Sequence, residues 1–238
     1  MSAGPGFRLR AEAKDSQPPL LYPAYASTVS RAPRQAPIAM SPTLSEATGP
    51  LPGRECLGPA SDDLTRQHGA PPLGERIVVE GRVLDENGRP LADTLIELWQ
   101  ANAAGRYRHP NDQHDAPLDA NFDGAGRCVT DGEGRWRFTT VKPGAYPWRN
   151  HPNAWRPAHL HFSLFGPSFG TRLVTQMYFP GDPLLPFDPI FNAIPDAVAR
   201  QRMVARFELA ATQPERALGY VWDIVLRGAE ETPMESGR

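Results

Sequence analysis

Cysteine is almost missing from this chain: Cys56 and Cys128 are the only two in 238 residues. Two cannot build a disulfide framework or a cysteine-rich zinc site. A pair of reduced, buried thiols is expected in preference to a single bridge. An excess of either charge is missing too. The 25 Lys and Arg against 27 Asp and Glu leave a formal charge of -2. That removes the basic footprint that nucleic acid or an anionic membrane surface requires. No stretch is long and apolar enough to span a bilayer, and residues 1–10 hold no apolar run of the signal-peptide kind. The expectation is a soluble cytoplasmic protein, with no nucleic acid and no membrane among its partners.

What is abundant is proline, 27 residues, with 21 glycines beside it. Both interrupt regular structure, so short strands joined by many turns are expected rather than long helices. Proline is densest in residues 1–73, where it breaks almost every candidate element. Leu20, Leu21, Tyr22, Tyr25, Ile38, Met40 and Leu44 nonetheless supply apolar anchors there. An irregular arm packed on the domain or on a partner subunit fits better than a solvated tail. Residues 74–238 then form the domain proper.

Within that domain, residues 76–84 are rich in β-branched side chains and run into the turn sequence Asp85-Glu86-Asn87-Gly88. Residues 94–100 read as the next strand. Residues 127–130 and 135–140 flank Asp131-Gly132-Glu133-Gly134 as a hairpin, and Trp136 and Phe138 alternate with Arg135 and Arg137. Further strands are expected at 158–165, 173–179 and 219–226. Only residues 196–206 read as helical, with Asp196 as N-cap. The pattern predicts an all-β fold, an antiparallel β-sandwich with at most one short helix.

Chemistry concentrates in Trp155-Arg156-Pro157-Ala158-His159-Leu160-His161. On a strand, His159 and His161 project from one face, because side-chain direction repeats every second residue. Both imidazoles can therefore reach one metal ion. An isolated His-x-His is short enough to arise by chance as surface or core polarity. A zinc hydrolase would want a further ligand nearby, and Ser163 is not one. A ferrous oxygenase triad would want a carboxylate. None lies close in sequence, although a distant Asp or Glu stays open as a third ligand.

Two tyrosines shift that balance. Tyr107 follows Gly105, and Tyr146 sits between Pro143 and Pro147, which restrict the backbone around it. A free tyrosine titrates near 10 and ligates poorly until a strong Lewis acid takes its proton. Two tyrosinates and one hydroxide would neutralise Fe(III), and two neutral imidazoles complete the shell without adding charge. Fe(II) or Zn(II) in that cage would leave a net negative centre in a partly buried pocket, which is costly.

Three blocks then acquire a shared meaning: residues 105–109 (Gly-Arg-Tyr-Arg-His), residues 142–150 (Lys-Pro-Gly-Ala-Tyr-Pro-Trp-Arg-Asn) and residues 155–161. In this order they resemble the intradiol ring-cleaving dioxygenases. The nearest branch of that family acts on protocatechuate as paired alpha and beta subunits of similar fold. The resemblance implies a non-haem Fe(III), one per alpha-beta pair, bound by Tyr107, Tyr146, His159 and His161. It also implies cleavage of 3,4-dihydroxybenzoate by O2 between its two hydroxylated carbons, giving 3-carboxy-cis,cis-muconate. Because this chain carries all four ligands, it is expected to be the iron-bearing partner of an alpha subunit.

By the same resemblance Tyr146 is the ligand that leaves when substrate binds, and Arg156 stabilises negative charge developing on the ring. Gln176 is a second polar pocket residue. Trp148 and Ile190 pack against the ring, and Tyr25 lies near the substrate carboxylate. Each has a plainer reading: a surface charge for Arg156, a solvent-facing strand residue for Gln176, core or loop packing for the others. Catechol or hydroxyquinol as substrate is the alternative within the family. A metal-free β-sandwich scaffold is the alternative outside it.

Overall fold

A computed structural model of the protein describes residues 13–38, 61–165 and 172–236. Cys56, Met40 and Leu44 lie outside these residues. Helix α1 (Ala26–Arg31) is followed by strands β1 (Arg76–Leu84), β2 (Leu95–Trp99), β3 (Ala125–Val129), β4 (Arg135–Val141), β5 (Tyr146–Pro147) and β6 (Trp155–Arg156). Then come β7 (His159–Phe165), β8 (Arg172–Tyr178), helices α2 (Pro189–Asn192) and α3 (Ala197–Gln201), and strands β9 (Arg206–Phe207), β10 (Leu218–Val221) and β11 (Ile224–Val225). One sheet has the order β11-β1-β10-β9 with β4 on β1, the second has β3-β2-β7-β8, and β5 and β6 form a small ribbon.

The two larger sheets face each other across one apolar core. Ile77, Val79, Trp136 and Phe138 come from the first, and Ile96, Leu98, Leu160, Phe162, Leu164 and Met177 from the second. Every second residue of β4 is inward until the strand ends, which is why Trp136 and Phe138 are buried while Arg135 and Arg137 are exposed. Cys128 joins this core as a free thiol. Burial pushes its pKa up to about 12, so it is an inert filler rather than a nucleophile.

The all-β sandwich is as expected, but three details differ. First, β1 pairs with β10 and β11 in parallel. The alternation of a strand carries no sign of its direction, and here the chain runs through the second sheet before it returns. Second, Asp131 to Gly134 do make a tight turn, with the Asp131 N–H donating to the Arg135 carbonyl at 3.1 Å. Yet β3 pairs with β2 while β4 pairs with β1, so the turn is a corner between sheets and not a hairpin. Turn chemistry reverses the chain without choosing the sheet each side joins. Third, the described residues hold three short α-helices rather than one. Asp196 does cap the expected one, accepting from the Val198 and Ala199 N–H groups, but that helix ends at Gln201.

The arm is less irregular than its prolines imply. Asn150 receives the first N–H groups of α1, through its carbonyl from Ala26 at 2.9 Å and through its side chain from Ser27 at 2.7 Å. Tyr25, just before the helix, is buried, whereas the expected anchors Leu21 and Ile38 are exposed. Leu64 is fully buried in the sandwich core, held by a turn that Asp63 caps through the Thr65 N–H at 3.0 Å.

Candidate active site

Strand β7 divides its side chains between two environments. Leu160, Phe162 and Leu164 enter the core, and His159 and His161 project from the opposite face. On β8 the cross-strand partners of the histidines are Tyr178 and Gln176. Trp99 stands opposite His161 on β2 and stacks on its ring, with centroids 4.9 Å apart and planes 8° from parallel. Register alone therefore gathers two imidazoles, an amide, a phenol and an indole on one patch of sheet.

Two loops deliver the remaining phenols. Asn102 organises the first: its side-chain oxygen accepts from the Ala104 and Arg106 N–H groups, and its carbonyl from Gly105 and Gly144. Gly105 has φ +78° and lies so close to the second loop that a Cβ there would overlap the Ala145 carbonyl oxygen. Only glycine meets both demands. The Tyr107 N–H donates to Asp112 at 2.7 Å. Tyr146 pairs across the ribbon with Arg156. The two phenol rings consequently meet edge to face, centroids 5.3 Å apart.

Four donor atoms converge. His159 Nε2 lies 3.2 Å from His161 Nε2 and 3.4 Å from the Tyr146 hydroxyl, and His161 Nε2 lies 3.2 Å from the Tyr107 hydroxyl. Ligands about 2.0–2.1 Å from a shared ion sit roughly 3 Å from one another, so this spacing fits one metal. Among the described residues no group of three or more His, Cys, Asp or Glu is gathered for that purpose. The two phenol oxygens are the further donors that meet the imidazoles at this point.

The nitrogens are prepared for ligation. His159 Nδ1–H donates to the Pro157 carbonyl at 2.7 Å, leaving the Nε2 lone pair facing the other donors. Burial holds the His159 pKa well below its usual value, and the Arg156 and His161 charges lower it further. Burial also lowers His161, partly offset by Glu235. Both rings are neutral, as ligands must be. Burial drives the Tyr107 phenol well above 10, and Tyr146 beside it adds to the shift. Without a strong cation that phenol keeps its proton.

Arg156 is the hub of the polar network, 2% exposed and paired to Asp188, itself 0% exposed, through Nε at 2.8 Å. Its remaining nitrogens reach the Gln176 amide oxygen at 2.6 Å, the Tyr178 hydroxyl at 3.1 Å, His159 Nε2 at 3.1 Å and the Tyr146 hydroxyl at 3.4 Å. Burial works most strongly against its charge, but Asp188, Tyr146 and Tyr178 together outweigh it and the guanidinium stays protonated. Asp188 also caps α2, accepting from the Ile190 and Phe191 N–H groups at 2.9 and 3.0 Å. One carboxylate thus fixes the hub and places Ile190.

A cavity of about 240 Å³ opens beside these groups, with Trp148 and Ile190 as apolar walls and Tyr25 and Arg31 at the arm side. The Arg156 guanidinium lies 5.1 Å from the Trp148 ring centre. Tyr25 meets Trp148 edge-on at 5.1 Å, and Arg31 lies over Tyr25 at 4.6 Å. The volume suits a single substituted ring. A larger groove of about 690 Å³ lies on the first sheet, but Glu80 and Arg137 in its lining pair with each other at 3.2 Å, and among the described residues no metal-binding group of His, Cys, Asp or Glu gathers there.

Every site residue expected from sequence lies in this cluster: Tyr25, Tyr107, Tyr146, Trp148, Arg156, His159, His161, Gln176 and Ile190. Arg156 and Gln176 are buried rather than solvent-facing. Sequence reasoning missed Trp99, Tyr178, Asp188 and Glu235. Trp99 and Tyr178 follow from strand register once the sheet is known, whereas the two acids arrive from loops that carry no period. Glu235 meets the histidine pair on the Nδ1 side of His161, at 3.1 Å, not on the side where the four donors converge.

Comparison with known proteins agrees with this geometry. Residues 47–228 match the Dioxygenase family profile, and residues 10–43 match the profile for the N terminal region of the protocatechuate 3,4-dioxygenase beta subunit. A protocatechuate 3,4-dioxygenase beta chain from Burkholderia cepacia is 61% identical over 222 residues, 92% of this chain and 94% of that one. A protocatechuate 3,4-dioxygenase alpha chain from Pseudomonas putida is 30% identical over 67% of this chain and 75% of that one. Among solved structures, catechol 1,2-dioxygenase from Pseudomonas arvilla C-1 superposes with a TM-score of 0.52 at 27% identity, covering 71% of this chain and 57% of that one. With a sandwich of this kind and two family profiles along its length, the chain belongs to the intradiol ring-cleaving dioxygenases.

Proposed function

We propose that this chain is the iron-bearing beta subunit of a protocatechuate 3,4-dioxygenase. It works in the cytoplasm with an alpha subunit of the same fold, and it cleaves 3,4-dihydroxybenzoate with O2 to 3-carboxy-cis,cis-muconate. Residues 1–73 serve as an arm and residues 74–238 as the catalytic domain. The observation that carries the reading is the convergence of Tyr107, Tyr146, His159 and His161 within 3.2–3.4 Å of one another along the chain of contacts. Two phenolates, a hydroxide and two neutral imidazoles balance Fe(III), one per alpha-beta pair, whereas a divalent ion would leave the buried site negative.

Bound Fe(III) would supply the Lewis acidity that keeps the substrate as its diphenolate and draws electron density from the ring. The chain's own groups do the rest. Tyr146, held at the cavity wall by Arg156, would as its phenolate accept the proton of one substrate hydroxyl. Arg156 cannot lose its proton, so it offers a permanent positive charge to the anionic ring in a water-poor site. Trp148 and Ile190 hold the ring between apolar surfaces, and Gln176 keeps the guanidinium from rotating. The exposed guanidinium of Arg31, beside Tyr25, suits the ring carboxylate that distinguishes protocatechuate from catechol.

Purified protein, alone and co-expressed with an alpha chain, tests this directly. The expected results are stoichiometric iron, a red-brown tyrosinate-to-iron absorption band, and oxygen uptake greatest with protocatechuate. Faster uptake with catechol or hydroxyquinol would overturn the substrate, and a colourless, iron-free folded protein would overturn the enzyme reading.

A further inference from the structure

Residues 231–235 form a strap fastened at almost every step. The Thr232 N–H donates to the Val225 carbonyl at 2.9 Å, and the Pro233 carbonyl accepts from the Thr175 hydroxyl at 2.6 Å. The Met234 N–H donates to the Gln17 side chain at 2.8 Å, and the Glu235 N–H to the Val174 carbonyl at 3.0 Å. So many fixings on an extended segment without helix or strand order its backbone closely. What they deliver is one carboxylate. Glu235 Oε2 accepts from the Gln176 amide at 2.8 Å and from His161 Nδ1–H at 3.1 Å.

Fastening the strap does not require an acid there; a glutamine would make the same contacts. A carboxylate is also an awkward neighbour for a cavity that receives an anionic ring. Both contacts to Oε2 come from N–H donors, the arrangement that suits a carboxylate and not a carboxylic acid. The two imidazoles differ in kind: His159 Nδ1–H meets a neutral backbone carbonyl, whereas His161 Nδ1–H meets a carboxylate. An imidazole that donates to an anion is the stronger electron donor at its other nitrogen.

We propose that Glu235 is a positioning residue for the metal centre: it fixes the Nδ1–H tautomer of His161, aims Nε2 at the ion, and makes this imidazole the more strongly donating of the two. The inference rests on the proposed iron site and would be meaningless without it. It adds a carboxylate from the strap whose negative charge favours the trivalent state of the ion over the divalent one.

Three variants separate this role from mere fastening, with iron retention against a chelator, the tyrosinate-to-iron band and the Fe(III)/Fe(II) potential as readouts. Glu235→Ala should lose iron about 10–100-fold more readily than wild type. Glu235→Gln, which can still accept from His161 Nδ1–H, should retain iron to within about a few-fold of wild type. Its band should nevertheless move to longer wavelength and its potential rise, because the ion has become more electron-poor. Thr175→Val, which frees the strap at Pro233 without touching the acid, should leave the band and the potential unchanged. Wild-type iron retention and band position in Glu235→Ala would overturn the inference while leaving the iron site intact. So would a Thr175→Val band shift equal to that of Glu235→Gln. Wild-type protein with no such band would sink both the inference and the reading beneath it.

Discussion

The two faces of β7 are built by different rules. Leu160, Phe162 and Leu164 point into the core and are held by volume. His159 and His161, on the alternate positions, are held by named partners: the Pro157 carbonyl, Glu235, Tyr107, Tyr146 and Arg156. An apolar position tolerates any side chain that fills it. A buried polar position tolerates only one that satisfies every partner, because an orphaned group bears its full desolvation penalty. The sandwich therefore supplies stability on one side of the sheet and spends part of it on the other, where a charged network sits in a largely dry setting.

The largest effect that could break this contrast is at Asp188. Asp188→Ala leaves the Arg156 guanidinium buried without its counter-ion and leaves α2 uncapped. Loss of one partner of a buried pair costs about 3–5 kcal/mol, so the unfolding midpoint in urea should fall steeply. A loss under about 1 kcal/mol would mean that Arg156 finds water or another anion, and the polar face would then be no more exacting than the surface.

Adjacent residues of β7 sharpen the contrast next. Leu160→Ala should destabilise the iron-free protein by about 2–5 kcal/mol through the cavity it leaves. The folded fraction should still take up iron. His159→Ala should cost the iron-free protein about 1–3 kcal/mol, because it orphans the buried Pro157 carbonyl. It should also lose the iron and the visible band. Denaturant titration and metal analysis on the same two preparations decide this, and equal behaviour of the two variants would erase the distinction between faces.

The same division explains what could be read from the chain. The histidine pair was legible because period-two geometry acts over three residues. Tyr107 and Tyr146 were legible because Gly105, Pro143 and Pro147 mark their loops. The sandwich was legible from alternation, as in Trp136 and Phe138. Strand direction was not, so the parallel pairing of β1 with β10 passed unseen. Nor were Asp188 and Glu235, which meet Arg156 and His161 across 32 and 74 residues of chain. Their loops have no repeat, and nothing local distinguishes an acid that caps and pairs from one that faces water.

The smallest effect concerns a polar residue that the network leaves out. His151 is buried against Trp148, ring centres 5.9 Å apart, and neither of its nitrogens makes a hydrogen bond of good geometry. Burial lowers its pKa and the Arg156 charge lowers it further, while Asp188 and a loose contact with the Trp155 backbone pull the other way. Asp188 cannot rescue it by contact, since its oxygens already serve Arg156, Tyr178 and the cap of α2. With the folded value depressed, the unfolded chain takes up the proton first as pH falls below about 6.5. The contribution of His151 to stability is therefore complete above that pH and erodes below it, by about a few tenths of a kcal/mol per pH unit after solvent screening. His151→Phe, a ring of similar size with no proton to gain, should cancel this slope. Comparing wild type and variant at several pH values between about 7.5 and 5.5 removes the titration of the other histidines, which both proteins share. Parallel curves would mean that His151 has found a partner after all, and that even the margin of this polar face is satisfied.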